Sequence, residues 1–168
     1  MKKISIAIGV LLGAVFTNAQ TNGEINSANS WLKVGVIAGV PVSDASDYSS
    51  ITAGVDLRGQ YMLNPNFGIG LASGYNHYFG KDGAEDVSVI PVGAMVRYYP
   101  KSQGLFLGTD LGYSFVTNDG VDGGFYVRPQ VGYHNTDWNF YGYYDRIFTN
   151  YNDVQSVGLG VSYNLKFK

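Results

Sequence analysis

The stretch Val157 to Phe167, VGLGVSYNLKF, sets the tightest limit on what this chain folds into. Val157, Leu159, Val161, Tyr163, Leu165 and Phe167 share one parity, while Gly158, Gly160, Ser162, Asn164 and Lys166 fill the other. Side chains alternate faces along a strand, so one face is wholly apolar and the other small or polar. An apolar face this long suits a strand that crosses hydrocarbon, where ~9–11 tilted residues are needed.

The same alternation recurs upstream. It predicts strands from Trp31 to Val42, Ile51 to Leu63, Phe67 to Phe79, Val87 to Tyr99, Leu105 to Val116, Phe125 to His134 and Trp138 to Phe148, with no helix among them. The connections alternate too. Those after the second, fourth and sixth strands are short, and the others are mostly longer and rich in Asp, Asn, Gly and Ser. This is the asymmetry of a transmembrane barrel, with short periplasmic turns and longer external loops. The expectation is an all-β, eight-stranded antiparallel up-and-down transmembrane barrel spanning residues 31–168.

The depth of the aromatic residues gives a second test. On the outward parity, Tyr61, Phe67, Tyr98, Tyr133, Trp138, Tyr163 and Phe167 fall at the turn ends. Tyr75, Phe79, Tyr113, Phe115, Phe125 and Tyr144 fall towards the loop ends. Valines and leucines lie between them, as between the two aromatic girdles of a lipid-facing surface. Pro91 and Pro129 oppose this reading, because each removes a ladder hydrogen bond, and a bulge near the external end is the expected accommodation.

Ahead of the barrel, Lys2 and Lys3 precede an apolar run from Ile4 to Phe16, and Thr17-Asn18-Ala19 ends on a small residue. That order predicts a signal peptide over 1–19, followed by a polar lead-in over 20–30. The chain carries no cysteine, so disulfides and thiolate metal sites are excluded. Charged residues make up 14% of it, with a net charge of −2 and no basic patch for nucleic acid.

The inward parity carries Asp56, Arg58, Arg97, Asp110, Arg128 and Asp145 among many glycines. Charges inside a narrow barrel must pair or meet water. These six are the candidate site, read as a polar plug in preference to an arginine-lined ion path, since eight strands enclose only a side-chain-filled interior.

IPVGAMVRYYP (Ile90 to Pro100) followed by GLFLGTDLGYSF (Gly104 to Phe115) resembles the small outer-membrane β-barrel, or porin-family, proteins of Gram-negative bacteria. The resemblance covers roughly residues 20–168 and rests on strand patterns without active-site content. It implies the bacterial outer membrane as the location. It also implies outer-membrane lipid and the barrel-insertion machinery as partners, the latter reading the aromatic of the last strand, here Phe167.

Other chemistry is thin. His77 and His134 are expected at opposite rims, too far apart to share a metal. His77 with Ser73 and Asp82, Glu85 or Asp86 sketches a lipid hydrolase, but interfacial histidine and solvated carboxylates are the preferred reading. The same holds for the loop acids Asp44, Asp47, Asp82, Asp86, Asp119, Asp122 and Asp153 as divalent-cation ligands. No cofactor motif is present. The expected role is a non-enzymatic barrel serving the envelope, surface contact through an unidentified loop partner, or limited solute passage. A lipid-modifying enzyme and a secreted barrel with an apolar interior are the alternatives.

Overall fold

The computed structural model describes residues 32–118, 122–150 and 153–165. The leader, the lead-in, Trp31, Asp119 and Phe167 lie outside these residues. Eight strands form the wall: β1 (Leu32–Val42), β2 (Ser49–Met62), β3 (Phe67–Gly80), β4 (Val87–Tyr98), β5 (Gly104–Val116), β6 (Gly124–His134), β7 (Trp138–Phe148) and β8 (Val154–Leu165). Each pairs antiparallel with the next, and β1 pairs with β8 from Leu32↔Leu165 to Val42↔Gln155, closing the barrel.

Burial follows the parity of the sequence with the usual sense reversed. Val36, Val55, Leu111, Val131 and Leu159 are exposed on the outside, Leu159 at 73%. Asp56, Arg58, Arg97 and Asp110 are buried inside. The exposed face carries aromatic pairs at both ends. At the turn end Phe67 lies 4.9 Å from Tyr98 and Trp138 5.0 Å from Tyr163, while at the loop end Tyr113 lies 4.9 Å from Phe115. A secreted barrel with an apolar interior requires the opposite arrangement.

The turns after β2 and β6 share one device. Asn64 Oδ1 accepts from the Asn66 and Phe67 N–H groups at 2.9 Å. Asn135 Oδ1 accepts from the Asp137 and Trp138 N–H groups at 2.8 Å. An Asx side chain that stands in for the backbone in this way fixes a tight reversal.

Four details depart from expectation. A one-turn helix, α1 (Ala45–Tyr48), occupies the first loop, where only irregular chain was expected, and it buries Ala45. β2 and β8 also begin earlier than predicted, because Ser49 and Ser50 read as loop and Val154 as lead-in but belong to the wall, and Ser156 is fully buried in the lumen. The loops at residues 43–48, 81–86, 117–123 and 149–153 are consequently little longer than the turns at 63–66, 99–103 and 135–137. Finally, the prolines produce no bulge. β3 and β4 keep one register across Pro91 while the pairs between Ser73↔Val92 and Asn76↔Val89 are missing. β6 and β7 do the same across Pro129, between Val127↔Arg146 and Gln130↔Tyr143. A local gap on the side facing the missing N–H costs less than a register change in a closed barrel.

One glycine pair has a defined packing role. Gly39 and Gly158 face each other across β1 and β8. A Cβ on Gly39 would sit 2.8 Å from the Tyr143 hydroxyl, and one on Gly158 2.6 Å from Tyr143 Cζ. The pair is a notch that seats the Tyr143 ring inside the lumen.

Candidate functional site

Five of the six charged residues form one chain across the lumen. Arg58 on β2 reaches Asp110 on β5 (Nη2 to Oδ2, 3.0 Å) and also pairs with Asp56, two residues away on its own strand. Arg128 on β6 bonds Asp56 Oδ1 at 3.1 Å and Asp145 Oδ2 on β7 at 2.6 Å. The order Asp110–Arg58–Asp56–Arg128–Asp145 alternates in sign and ties together walls that share no backbone pairing. All five are at most 2% exposed. Low local dielectric strengthens such contacts and makes a missing partner costly, and alternation of sign gives every charge in the chain an opposite neighbour.

Arg97, the sixth residue, stands apart. Its Nη2 donates to Gln130 Oε1 at 2.7 Å, and Gln130 Nε2 donates to Asp110 Oδ2 at 2.6 Å, so an amide links it to the ion chain. No carboxylate bonds it directly among the described residues.

Sequence reasoning missed the neutral members. Tyr141 donates to Asp56 and accepts from Arg58 Nη1 at 3.0 Å. The Arg58 and Arg128 guanidiniums lie 5.2 and 5.3 Å from the Tyr141 and Tyr143 ring centroids. Their signal was the parity of β7, where Asn139, Tyr141, Tyr143 and Asp145 alternate with Phe140, Gly142 and Tyr144. Lys33, also inward, donates to Asn164 Oδ1 at 2.8 Å, and Asn139 Nδ2 donates to the same oxygen at 2.7 Å.

The ion chain sits between two less polar layers. Towards the loops, Tyr78, Val89, Tyr126 and Ile147 pack together, with Val87, Val116 and Val154 against them. Towards the turns come Met62, Tyr99, Phe106 and Tyr141, with the His134 ring 4.7 Å from that of Tyr99. A shallow apolar pocket of about 210 Å³ opens outside the loop-end layer, lined by Asp44, Ala45, Tyr48, Tyr78, Val87 and Asp153 among others.

At the loop-end rim, on the outer face, His77 meets Ser88 and not Ser73. Ser88 is the cross-strand partner of His77, whereas Ser73 pairs with Val92 four residues away. Tyr75 donates to Ser88 Oγ at 2.8 Å, Ser88 Oγ lies 2.8 Å from His77 Nδ1, and His77 Nε2 lies 3.3 Å from Asp86 Oδ2. A proton on His77 Nε2 satisfies both ring contacts. The connectivity is that of nucleophile, base and acid, but a reaction also needs access and donors for an oxyanion. Ser88 is 9% exposed and covered by Tyr75, and its N–H donates to Asn118 Oδ1 at 3.3 Å. Asn118 Nδ2 donates in turn to the Asp86 carbonyl at 2.8 Å, and the Thr117 N–H and hydroxyl both reach the Ser88 carbonyl. The cluster laces the loop ends of β3, β4 and β5 together.

Asp86 is the anchor of that lacing. The Gly80 N–H donates to its Oδ1 at 2.8 Å, and with the His77 contact this holds the carboxyl below the usual carboxylate range. Among the other loop acids, Asp153 accepts from Arg146 Nε and Nη2 at 2.9 and 2.6 Å. Among the described residues no group of three acids or histidines converges as a metal site would require.

No family model matches the chain, and no curated protein sequence matches it. Solved structures do. TMB2.3, a de novo designed protein, superposes with a TM-score of 0.54 at 17% identity over 82% of this chain and 96% of its own. Ail, the attachment invasion locus protein of Yersinia pestis, gives 0.54 at 14% identity over 80% and 96%, and has also been solved with the heparin analogue sucrose octasulfate. The outer membrane protein OprG of Pseudomonas aeruginosa gives 0.50 at 12% identity over 81% and 95%. At these identities the likeness is one of fold: the chain folds as small transmembrane barrels do.

Proposed function

We propose that the chain is a non-enzymatic barrel of the bacterial outer membrane. The observation that carries this is the inverted burial: an exposed aliphatic belt bounded by aromatics surrounds a core of paired charges. Water would expel such a belt, whereas lipid solvates it at no cost. Its role is structural support of the envelope and contact at the surface, with outer-membrane lipid and the insertion machinery as its general partners.

The ion chain argues for a plug. It joins β2 to β5, β6 and β7, and the loop-end layer of Tyr78, Val89, Tyr126 and Ile147 lies above it. Solute passage is therefore at most slight. Short, acidic loops also separate this chain from the sulfated ligand seen on Ail. Asp44, Asp47, Asp82, Glu85, Asp86, Asp122 and Asp153 stand at the loop end against Lys81 and Arg146, a balance that repels polyanions.

The test is electrophoresis of the refolded protein with and without boiling, followed by planar-bilayer recording. A mobility shift without discrete conductance supports the plugged barrel. A shift with steady conductance steps would make the lumen a pore, and solubility without detergent would end the membrane reading.

A further inference from the structure

The pocket of about 210 Å³ at the loop end has a built frame. The apolar layer above the ion chain supplies Tyr78, which is buried, with Val87 and Val154 packed against it. The one-turn helix α1 supplies Ala45 and Tyr48. Three bonds fix α1 in place. The Ser46 hydroxyl donates to the Ser43 carbonyl at 2.6 Å, the Lys81 N–H to the Tyr48 carbonyl at 3.1 Å, and the Ser49 hydroxyl to the Phe79 carbonyl at 2.8 Å. The hollow is therefore preformed, and an occupant has no loop to order on entering it.

The lining decides what body the pocket takes. It is almost wholly apolar, so water inside would find too few of the polar partners it needs. A cavity of ~150 Å³ holds benzene, and this one suits a single ring or branched alkyl group with a short tail. The rim decides the charge. Asp44 and Asp153 both border the pocket. Asp153 accepts from Arg146 Nε and Nη2, so its charge is matched. Asp44 is exposed and stands at the N-cap of α1 without a side-chain cap bond, and α1 itself adds Asp47 and no basic residue. An apolar hollow beside an unmatched carboxylate fits a ligand that is apolar with one positive end.

We propose that this pocket binds a small organic cation, a primary ammonium on an apolar body of one-ring size. The body lies against Tyr78, Val87 and Val154, and the ammonium meets Asp44. The apolar layer and the ion chain lie beneath, so the ligand stops there and enters no path through the lumen. The inference needs the fold alone and not the outer-membrane location.

The experiment titrates phenethylammonium into the refolded chain in nonionic micelles and follows backbone amides by ¹⁵N NMR. Phenethyl alcohol and phenylacetate, the neutral and anionic counterparts, are titrated in parallel. The ammonium should shift the Ala45, Val87 and Val154 amides and saturate, while Gln103 at the turn end stays in place. The alcohol should bind about fivefold more weakly, the scale of one exposed ion pair, and the anion more weakly still. Asp44→Asn, a change at an exposed side chain, should lower the ammonium to the affinity of the alcohol and leave the alcohol unchanged. Equal affinity of ammonium and alcohol for the unaltered chain, or an ammonium affinity untouched by Asp44→Asn, overturns the proposal. So does the absence of a shift, or a non-saturating drift shared with Gln103, which marks partition into the micelle.

Discussion

Arg128 on β6 reaches Asp56 on β2 across the full width of the barrel, Nη1 to Oδ1 at 3.1 Å, between strands that share no backbone hydrogen bond. The contact shows what holds this interior together. Backbone ladders close the wall, and the side-chain ion chain sets how opposite walls face each other.

Breaking that chain at one point leaves a buried charge alone. Arg128→Met should lower unfolding free energy by about 3–5 kcal/mol, the usual cost of an orphaned buried ion. Adding Asp145→Leu removes the stranded carboxylate, while Asp56 keeps Arg58. The double variant should therefore cost less than the sum of the two single changes. Denaturant unfolding of all three variants in detergent measures the difference, and strict additivity would show that the residues do not interact.

The outer surface responds to charge in the opposite sense to a soluble protein. Leu57, paired with Val34 and Ser73 on the lipid-facing side, should tolerate no cation. Leu57→Arg is expected to cost ~2–4 kcal/mol or to block insertion into liposomes. Unchanged folding and yield would show that this face meets water.

The parities of eight strands, the closed order and the inward charges were legible in the sequence, because a period of two survives whatever the partners are. Three things were not. Ser49 and Ser50 read as loop since a small polar residue fits a turn and a barrel wall equally well. Ser88 was overlooked as the partner of His77 because cross-strand register, not sequence spacing, brings them together. The tyrosines of β7 were hidden by their own amphipathic chemistry: an aromatic ring with a hydroxyl suits a membrane interface as well as an arginine. The parity of β7, with Tyr144 outward and Asp145 inward, is what decides for the interior, where Asp56 and the Gly39–Gly158 notch receive the two hydroxyl ends.

The rim cluster yields an acid response. Asp86 has its carboxyl held below the usual carboxylate range, chiefly through the Gly80 N–H and further through His77. A group depressed in the folded state contributes stability above its unfolded pKa and loses it as pH falls through the folded value. The Gly80 amide proton should therefore titrate with a midpoint below the usual carboxylate range when followed by NMR, and Asp86→Asn should abolish that titration. A midpoint above the ordinary aspartate value would mean that the hydrogen bond is not formed.

Ser88 separates lacing from catalysis. As a structural link between Tyr75 and His77 it should be worth about 1 kcal/mol, so Ser88→Ala is mildly destabilising. The unaltered protein should release no fatty acid from phospholipid vesicles. Ester hydrolysis that disappears in Ser88→Ala would make the cluster a catalytic site.

The central claim, that the aliphatic belt faces hydrocarbon, is tested most directly by depth. Val36 lies mid-belt, paired with Val55 and Val161 and exposed on the outside. A tryptophan introduced by Val36→Trp, with Trp31 and Trp138 replaced by phenylalanine, reports its own surroundings in liposomes. Quenching should be strongest by lipids brominated deep in the acyl chain and slight by aqueous iodide. Ready quenching by iodide with none from brominated lipid would contradict the claim.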